Sequence, residues 1–201
     1  MIDRWTAAAV KPPLHLIAQT FCHQRISANH VTVCGFFIGM LALPLLAFEQ
    51  YLLALVCVLF NRFCDGLDGA IARVNGGSDL GGFLDIVLDF IFYAAVICGF
   101  ALAQPENAVF ASLLLFGFMG TASSFLAFSS IAAKREIDNP IYPNKALYYL
   151  GGITEGSETI AFFVAMCLFP QHFVALSLTF AILCYITTFT RIMSAIATFK
   201  E

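Results

Sequence analysis

The sequence predicts an all-α integral membrane protein: six transmembrane helices preceded by an N-terminal amphipathic helix at the membrane interface. Three observations predict it. Of the 201 residues, 60% are hydrophobic and only 11% charged, where soluble domains carry about a quarter charged residues. The apolar residues come in runs approaching the roughly twenty that cross a bilayer as a helix, without the polar faces that a soluble helical core needs. Lys and Arg fall in alternate connections, as in a chain that crosses a membrane repeatedly.

Residues 1–27 form the interfacial segment. Ile2, Trp5, Leu14, Ile17 and Phe21 stand among Arg4, Lys11, His15 and Arg25, the composition of a helix lying on an anionic leaflet. Pro12-Pro13 bends or splits it. No short apolar core with a small-residue cleavage site opens the chain, so these residues are expected to remain in the mature protein.

Residues 28–201 form the six-helix bundle, one domain without internal repeats. The spans lie at about 31–48, 51–73, 81–104, 107–133, 149–169 and 172–199. They are punctuated by Glu49-Gln50, Asn75-Gly76-Gly77-Ser78, Pro105-Glu106-Asn107, the polar stretch 134–148 and Pro170-Gln171. Arg4, Lys11, Arg25, Arg73, Lys134, Arg135, Lys145 and Lys200 all fall at the termini or in the 2–3 and 4–5 connections. Basic loops stay cytoplasmic, so both termini are expected in the cytoplasm, of a bacterial inner membrane. An even number of spans requires the same. The seven Cys are scattered without a C-x-x-C pair, so neither a zinc site nor a disulfide framework is expected, and no nucleic-acid partner.

Chemistry is concentrated between Asp65 and Asp89. Asp65 and Asp68 stand at i, i+3, and Asp85 and Asp89 at i, i+4, so each pair shares a helix face. A tight reversal near Asn75–Ser78 sets the two helices side by side, with all four carboxylates near the cytoplasmic surface. An Asp near mid-bilayer costs roughly 2.5–3.5 kcal/mol. Protonation, basic partners or bound cations must compensate. Arg62 and Arg73 flank the group and neutralise half of it; two divalent ions, with positions left for substrate phosphates, are expected to complete the compensation, and hard oxygen ligands suit Mg²⁺ or Mn²⁺. Gly66, Gly69, Gly76, Gly77, Gly81 and Gly82 surround the carboxylates and let a ligand approach closely. Gly35-x-x-x-Gly39 is read as ordinary helix packing. Helices starting after Ser27-Ala28-Asn29 and Ser78-Asp79 open toward the same region, their positive ends suited to phosphate.

The stretch Asp65-Gly66-Leu67-Asp68-Gly69-Ala70-Ile71-Ala72-Arg73, with Gly81, Asp85 and Asp89 beyond it, resembles the CDP-alcohol phosphotransferase signature D-x2-D-G-x2-A-R-x8-G-x3-D-x3-D. All eight specified residues stand in order. Seven residues rather than eight separate Arg73 from Gly81. One deletion inside a helix would rotate the residues beyond it by about 100°, but the Asn75–Ser78 turn absorbs it. The resemblance implies transfer of a substituted phosphate from a CDP-linked donor to an alcohol, with release of CMP. It implies that Asp65, Asp68, Asp85 and Asp89 ligate two metal ions and that Asp89 is also the general base. Gly66, Gly69, Arg73, Ser78, Asn29 and Thr32 match donor-binding positions. A homodimer is implied by the same resemblance.

CDP-diacylglycerol is the expected donor, its acyl chains in lipid; a soluble CDP-alcohol donor with a lipid acceptor is the family's other arrangement. Lys134, Arg135 and Arg191 suggest an acceptor site for a phosphorylated polyol such as glycerol 3-phosphate. Alternatively Lys134 and Arg135 are membrane anchors, while Arg191 pairs with Glu155 or Glu158, which themselves either shape the acceptor pocket or cap a helix. A cation transporter is the non-enzymatic alternative, since intramembrane carboxylates also mark ion pathways.

Overall fold

The computed structural model describes residues 27–137 and 152–200. The predicted interfacial helix and residues 138–148 of the polar stretch, Lys145 among them, lie outside them. Among the described residues there are seven α-helices, two 3₁₀ turns and no strand. The first span is α1 (Ala28–Met40) continued by α2 (Ala42–Ala47). They join at Leu41, where Pro44 lacks the N–H that would bond the Met40 carbonyl. Then come α3 (Tyr51–Asn75), α4 (Asp79–Ala103), α5 (Ala108–Lys134), α6 (Gly156–Leu168) and α7 (Phe173–Phe199).

Four segments are both long and apolar enough to cross a membrane: Ala28–Ala47, Asp79–Ala103, Pro105–Lys134 and Pro170–Phe199. Helix α3 has the length, 25 residues, but carries Arg62, Asp65, Asp68 and Arg73. Helix α6 is shorter than the predicted fifth span: its 13 residues cover about 20 Å at 1.5 Å each. The predicted start near 149 gives way to a non-helical segment at 152–155, because Glu155 caps α6. Glu155 and Glu158 form a reciprocal capping box, with Glu155 N–H donating to Glu158 Oε2 at 3.2 Å. Phe37, Phe48, Phe116, Met119 and Phe189 stand exposed on the outer surface, far more apolar area than a water-facing surface carries. This is a membrane protein.

Small residues set the packing. A Cβ added at Gly35 would lie 2.4 Å from Cys64 Cβ, and one at Gly39 2.9 Å from the Asn61 side chain, so α1 lies directly on α3. Gly99 admits Leu46 of α2 onto α4, and Gly117 and Gly120 admit Cys184 and Thr188 of α7 onto α5. Phe92, Phe100, Phe163, Phe173 and Phe180 are fully buried in the main core, with the Phe100 and Phe173 rings stacked at 4.7 Å. A second, smaller cluster of Val31, Cys64, Leu67, Ala70 and Ile71 joins α1 to the last turns of α3. It underlies the carboxylates.

Candidate active site

Antiparallel α3 and α4 are connected through Gly76, whose φ of +86° is a conformation that glycine adopts without strain. Ser78 then caps α4, its Oγ accepting from Gly81 N–H at 3.0 Å. This reversal sets Arg62 opposite Asp89 and brings Asp65, Asp68 and Asp85 together. Ligand oxygens of those three aspartates all lie within 4.8 Å of one another. Asp68 is buried, Asp65 half-buried and Asp85 exposed, so the group opens outward on one side. Helix α1 contributes Thr32, whose hydroxyl donates to Asp68 Oδ2 at 2.5 Å, with the Ala28 carbonyl oxygen 3.1 Å away.

Asp89 stands in a different setting. Arg62 grips it with two nitrogens, Nη2 to Oδ1 at 2.5 Å and Nη1 to Oδ2 at 3.1 Å, a forked geometry that fixes orientation as well as charge. The Tyr93 hydroxyl donates to the same carboxylate at 3.2 Å. Arg62 Nη1 also approaches Asp65 Oδ2 at 3.5 Å. The guanidinium is thus the bridge between Asp89 and the other three.

Three carboxylates this close repel by about 3–4 kcal/mol per pair at an effective dielectric near 20. Oxygens on opposite sides of one Mg²⁺ stand about 4 Å apart, close to the spacing found here. An all-oxygen donor set with one open side fits a hard divalent ion that keeps positions for phosphate.

Of the predicted donor-binding residues, Asn29 lies against Gly81, since a Cβ there would come 2.9 Å from Asn29 Oδ1. The starts of α1 and α4 therefore adjoin. Arg73 folds back over Gly69, with Nη1 3.5 Å from the position of a Cβ there. Gly66 is half-buried on α3. Of the predicted acceptor residues, Lys134 is exposed at the end of α5. Arg135 donates to the Phe199 carbonyl at 3.3 Å and lies 5.4 Å over its ring, tying the last turns of α5 and α7 together. Arg191 is buried, donates Nη1 to the Thr121 carbonyl at 2.9 Å, lies over the Phe125 ring and reaches Gly152. Gly156, which opens α6, lies near the Tyr93 hydroxyl, so the start of α6 sits between the carboxylate end and Arg191.

Asn61 and Tyr93 escape a reading by motif alone, although both carry a signal. Tyr93 stands at i+4 from Asp89 on the same helix face, and Asn61 precedes an arginine inside an apolar run.

The fold and the carboxylate pattern define a class. The chain belongs to the CDP-alcohol phosphatidyltransferase family, whose sequence profile matches residues 25–193, and is a transferase enzyme, not the transporter of the alternative reading. It is 53% identical, over its whole length and 98% of the other, to the inner membrane protein YnjF of Escherichia coli. It is 38% identical to the archaetidylinositol phosphate synthase of Pyrococcus horikoshii over 46% of this chain and 50% of that one. Its fold matches that of Mycobacterium tuberculosis phosphatidylinositol phosphate synthase (PgsA1) with CDP-DAG bound: TM-score 0.68, 22% identity, 91% of this chain and 93% of that one. The same synthase in complex with manganese and citrate matches at TM-score 0.67 and 22% identity, over 90% of this chain and 88% of that one.

Proposed function

We propose that this transferase moves a phosphatidyl group from CDP-diacylglycerol to the hydroxyl of a phosphorylated polyol, such as glycerol 3-phosphate or an inositol phosphate, releasing CMP at the cytoplasmic face. The observation that carries the reading is the convergence of Asp65, Asp68 and Asp85 within 4.8 Å beside Asp89 on the facing helix. Asp65, Asp68 and Asp85 would hold the first of two divalent ions, Mg²⁺ or Mn²⁺, and Asp89 would contribute to the second. When bound, the ions offset the charge of the diphosphate and of the departing CMP.

The chain's own groups do the rest. Asp89 takes the proton of the acceptor hydroxyl as its oxygen bonds to the phosphatidyl phosphorus. The phosphorus–oxygen bond to CMP breaks, and CMP leaves with the bridging oxygen. Thr32 fixes Asp68, so that carboxylate's orientation need not be reset during reaction, while Arg62 holds Asp89 until donor and acceptor are in place. Asn29, Gly66, Gly69, Arg73 and Ser78 line the donor's approach, where glycine leaves room for the nucleotide. Arg191 supplies a cation for the acceptor's phosphate, with Lys134 and Arg135 at the rim. The names of the archaetidylinositol phosphate and phosphatidylinositol phosphate synthases support a phosphorylated product. Arg73, Lys134, Arg135 and Lys200 sit at or just beyond the C-terminal ends of alternate helices, which supports a cytoplasmic site.

The test is CMP release by the purified chain from CDP-diacylglycerol with Mn²⁺ or Mg²⁺ and labelled acceptors. One phosphorylated polyol should become lipid-soluble. No acceptor-dependent CMP, or release undiminished in Asp89→Asn, would refute the reading.

A further inference from the structure

Arg62 lies outside the eight residues of the signature, yet it is the best-anchored charge in the site. Nε and Nη2 donate to Asn61 Oδ1 at 2.9 and 2.5 Å, and Nη1 donates to the Tyr93 oxygen at 3.1 Å. Its guanidinium lies over the rings of Phe92 and Tyr93 at 5.2 and 5.3 Å. Asn61 is fixed in turn by donating Nδ2 to the Gly35 carbonyl at 3.0 Å. The Arg62 side chain is 14% exposed, against 28% for Asp89 and 35% for Asp65. Swinging the guanidinium away would strip partners from a buried charge and from Asn61, leaving both unsatisfied. Arg62 is a fixture; the carboxylate it holds is the movable member.

Charge completes the case. Four ionised aspartates with Arg62 leave a net three negative charges. One divalent ion leaves a single negative charge, and a second would make the cluster positive until an anionic diphosphate arrived. A guanidinium clamped on Asp89 therefore opposes the second ion twice, by occupying its ligand and by repelling it.

We propose that Arg62 is a positioning residue that stands in for a divalent ion at Asp89: the substrate-free protein binds one ion tightly at Asp65, Asp68 and Asp85, and a second only in competition with the guanidinium. This rests on the metal reading above. A second ion would then bind best with the donor present, whose diphosphate would supply the missing negative charge.

The test is a Mn²⁺ titration of the purified full chain in detergent, with free Mn²⁺ monitored by electron paramagnetic resonance. Wild-type protein should bind one ion tightly and a second at least about tenfold more weakly, since close charge pairs in such settings are worth 1.5 kcal/mol or more. Arg62→Gln should bring the second ion to within about tenfold of the first, and Arg62→Lys should restore the gap. Two ions of equal affinity in wild type, or an unchanged second ion in R62Q, overturns the inference. Should R62Q not fold, Asp89→Asn decides: the first ion persists and the second is lost if the inference holds, and equal weakening of both overturns it. Wild-type protein that binds no Mn²⁺ overturns the metal reading as well.

Discussion

Gly35→Ala tests how tightly the first span and the site are coupled. The added Cβ would lie 2.4 Å from Cys64 Cβ and 3.3 Å from its Sγ, where ordinary contact begins at 3.4 Å. Cys64 Cβ is fixed to the backbone of α3, so the helices must part by about 1 Å rather than a side chain turn aside. Thr32 stands one turn earlier on α1 and donates to Asp68 at 2.5 Å. Carried rigidly along the helix, the separation stretches that bond to about 3.5 Å, past useful geometry. Overpacking costs about 1–3 kcal/mol, and a lost hydrogen bond to a charged group about 1.5–3. Together they give roughly 2.5–6 kcal/mol, a fall in melting midpoint of about 5–24 °C for a chain of this size. Circular dichroism melts in detergent read the first effect, and weakened Mn²⁺ binding reads the second. Cys64→Gly removes the atom that is struck, so G35A should cost clearly less in that background. An unchanged cost there, or a G35A protein that melts with wild type, would refute the close α1–α3 contact as the site's support.

The geometry sets three further outcomes. Asp85→Asn removes one of three converging ligands and should lower acceptor-dependent CMP release at least about a hundredfold, with tight Mn²⁺ binding lost in the same titration. Thr187→Val deletes the oxygen that accepts from Ile153 N–H, Thr154 N–H and the Thr154 hydroxyl; leaving buried donors without it should cost about 2–4 kcal/mol in thermal melts, with KM for the donor unchanged. Arg191→Met should raise KM for a phosphorylated acceptor by about tenfold or more while leaving KM for CDP-diacylglycerol in place; an equal rise in both would place Arg191 outside the acceptor site.

Much of the site is legible in the sequence because period and spacing carry it. Asp65/Asp68 and Asp85/Asp89 must each share a helix face, and the Gly-rich turn points those faces at each other; α3 and α4 meet through these side chains rather than side by side, for it is α1 that packs closely on α3. What spacing does not encode is which partner each carboxylate chooses across a helix interface. Thr32 matches a donor-binding position, yet its hydroxyl is committed to Asp68. By spacing Arg62 is a flanking charge, and the fold turns it inward onto Asp89. Glu155 and Glu158 have more than one reading from sequence, and the capping box shows the helix-capping one. Hydropathy draws the fifth span too long because it registers apolar residues without registering where the first helical hydrogen bond closes.

The weakness of α3 as a membrane span has its origin in the same chemistry. Its eleven Leu, Ile, Val and Phe residues favour insertion by about 3–7 kcal/mol in all, at 0.3–0.6 each. Arg62, Asp65 and Asp68 oppose it by about 8–10 kcal/mol if placed centrally. Alone, α3 is on the wrong side of the balance. The partner helix α4 is more apolar, with thirteen such residues, and it carries the carboxylate that neutralises Arg62. Insertion as an α3–α4 hairpin removes one unpaired cation and one unpaired anion at once, and the position of the charges toward the turn lowers their cost further. The site is therefore tied to the fold as well as its product: the Arg62–Asp89 pair that orders the carboxylates also links the charged helix α3 to its more apolar neighbour α4.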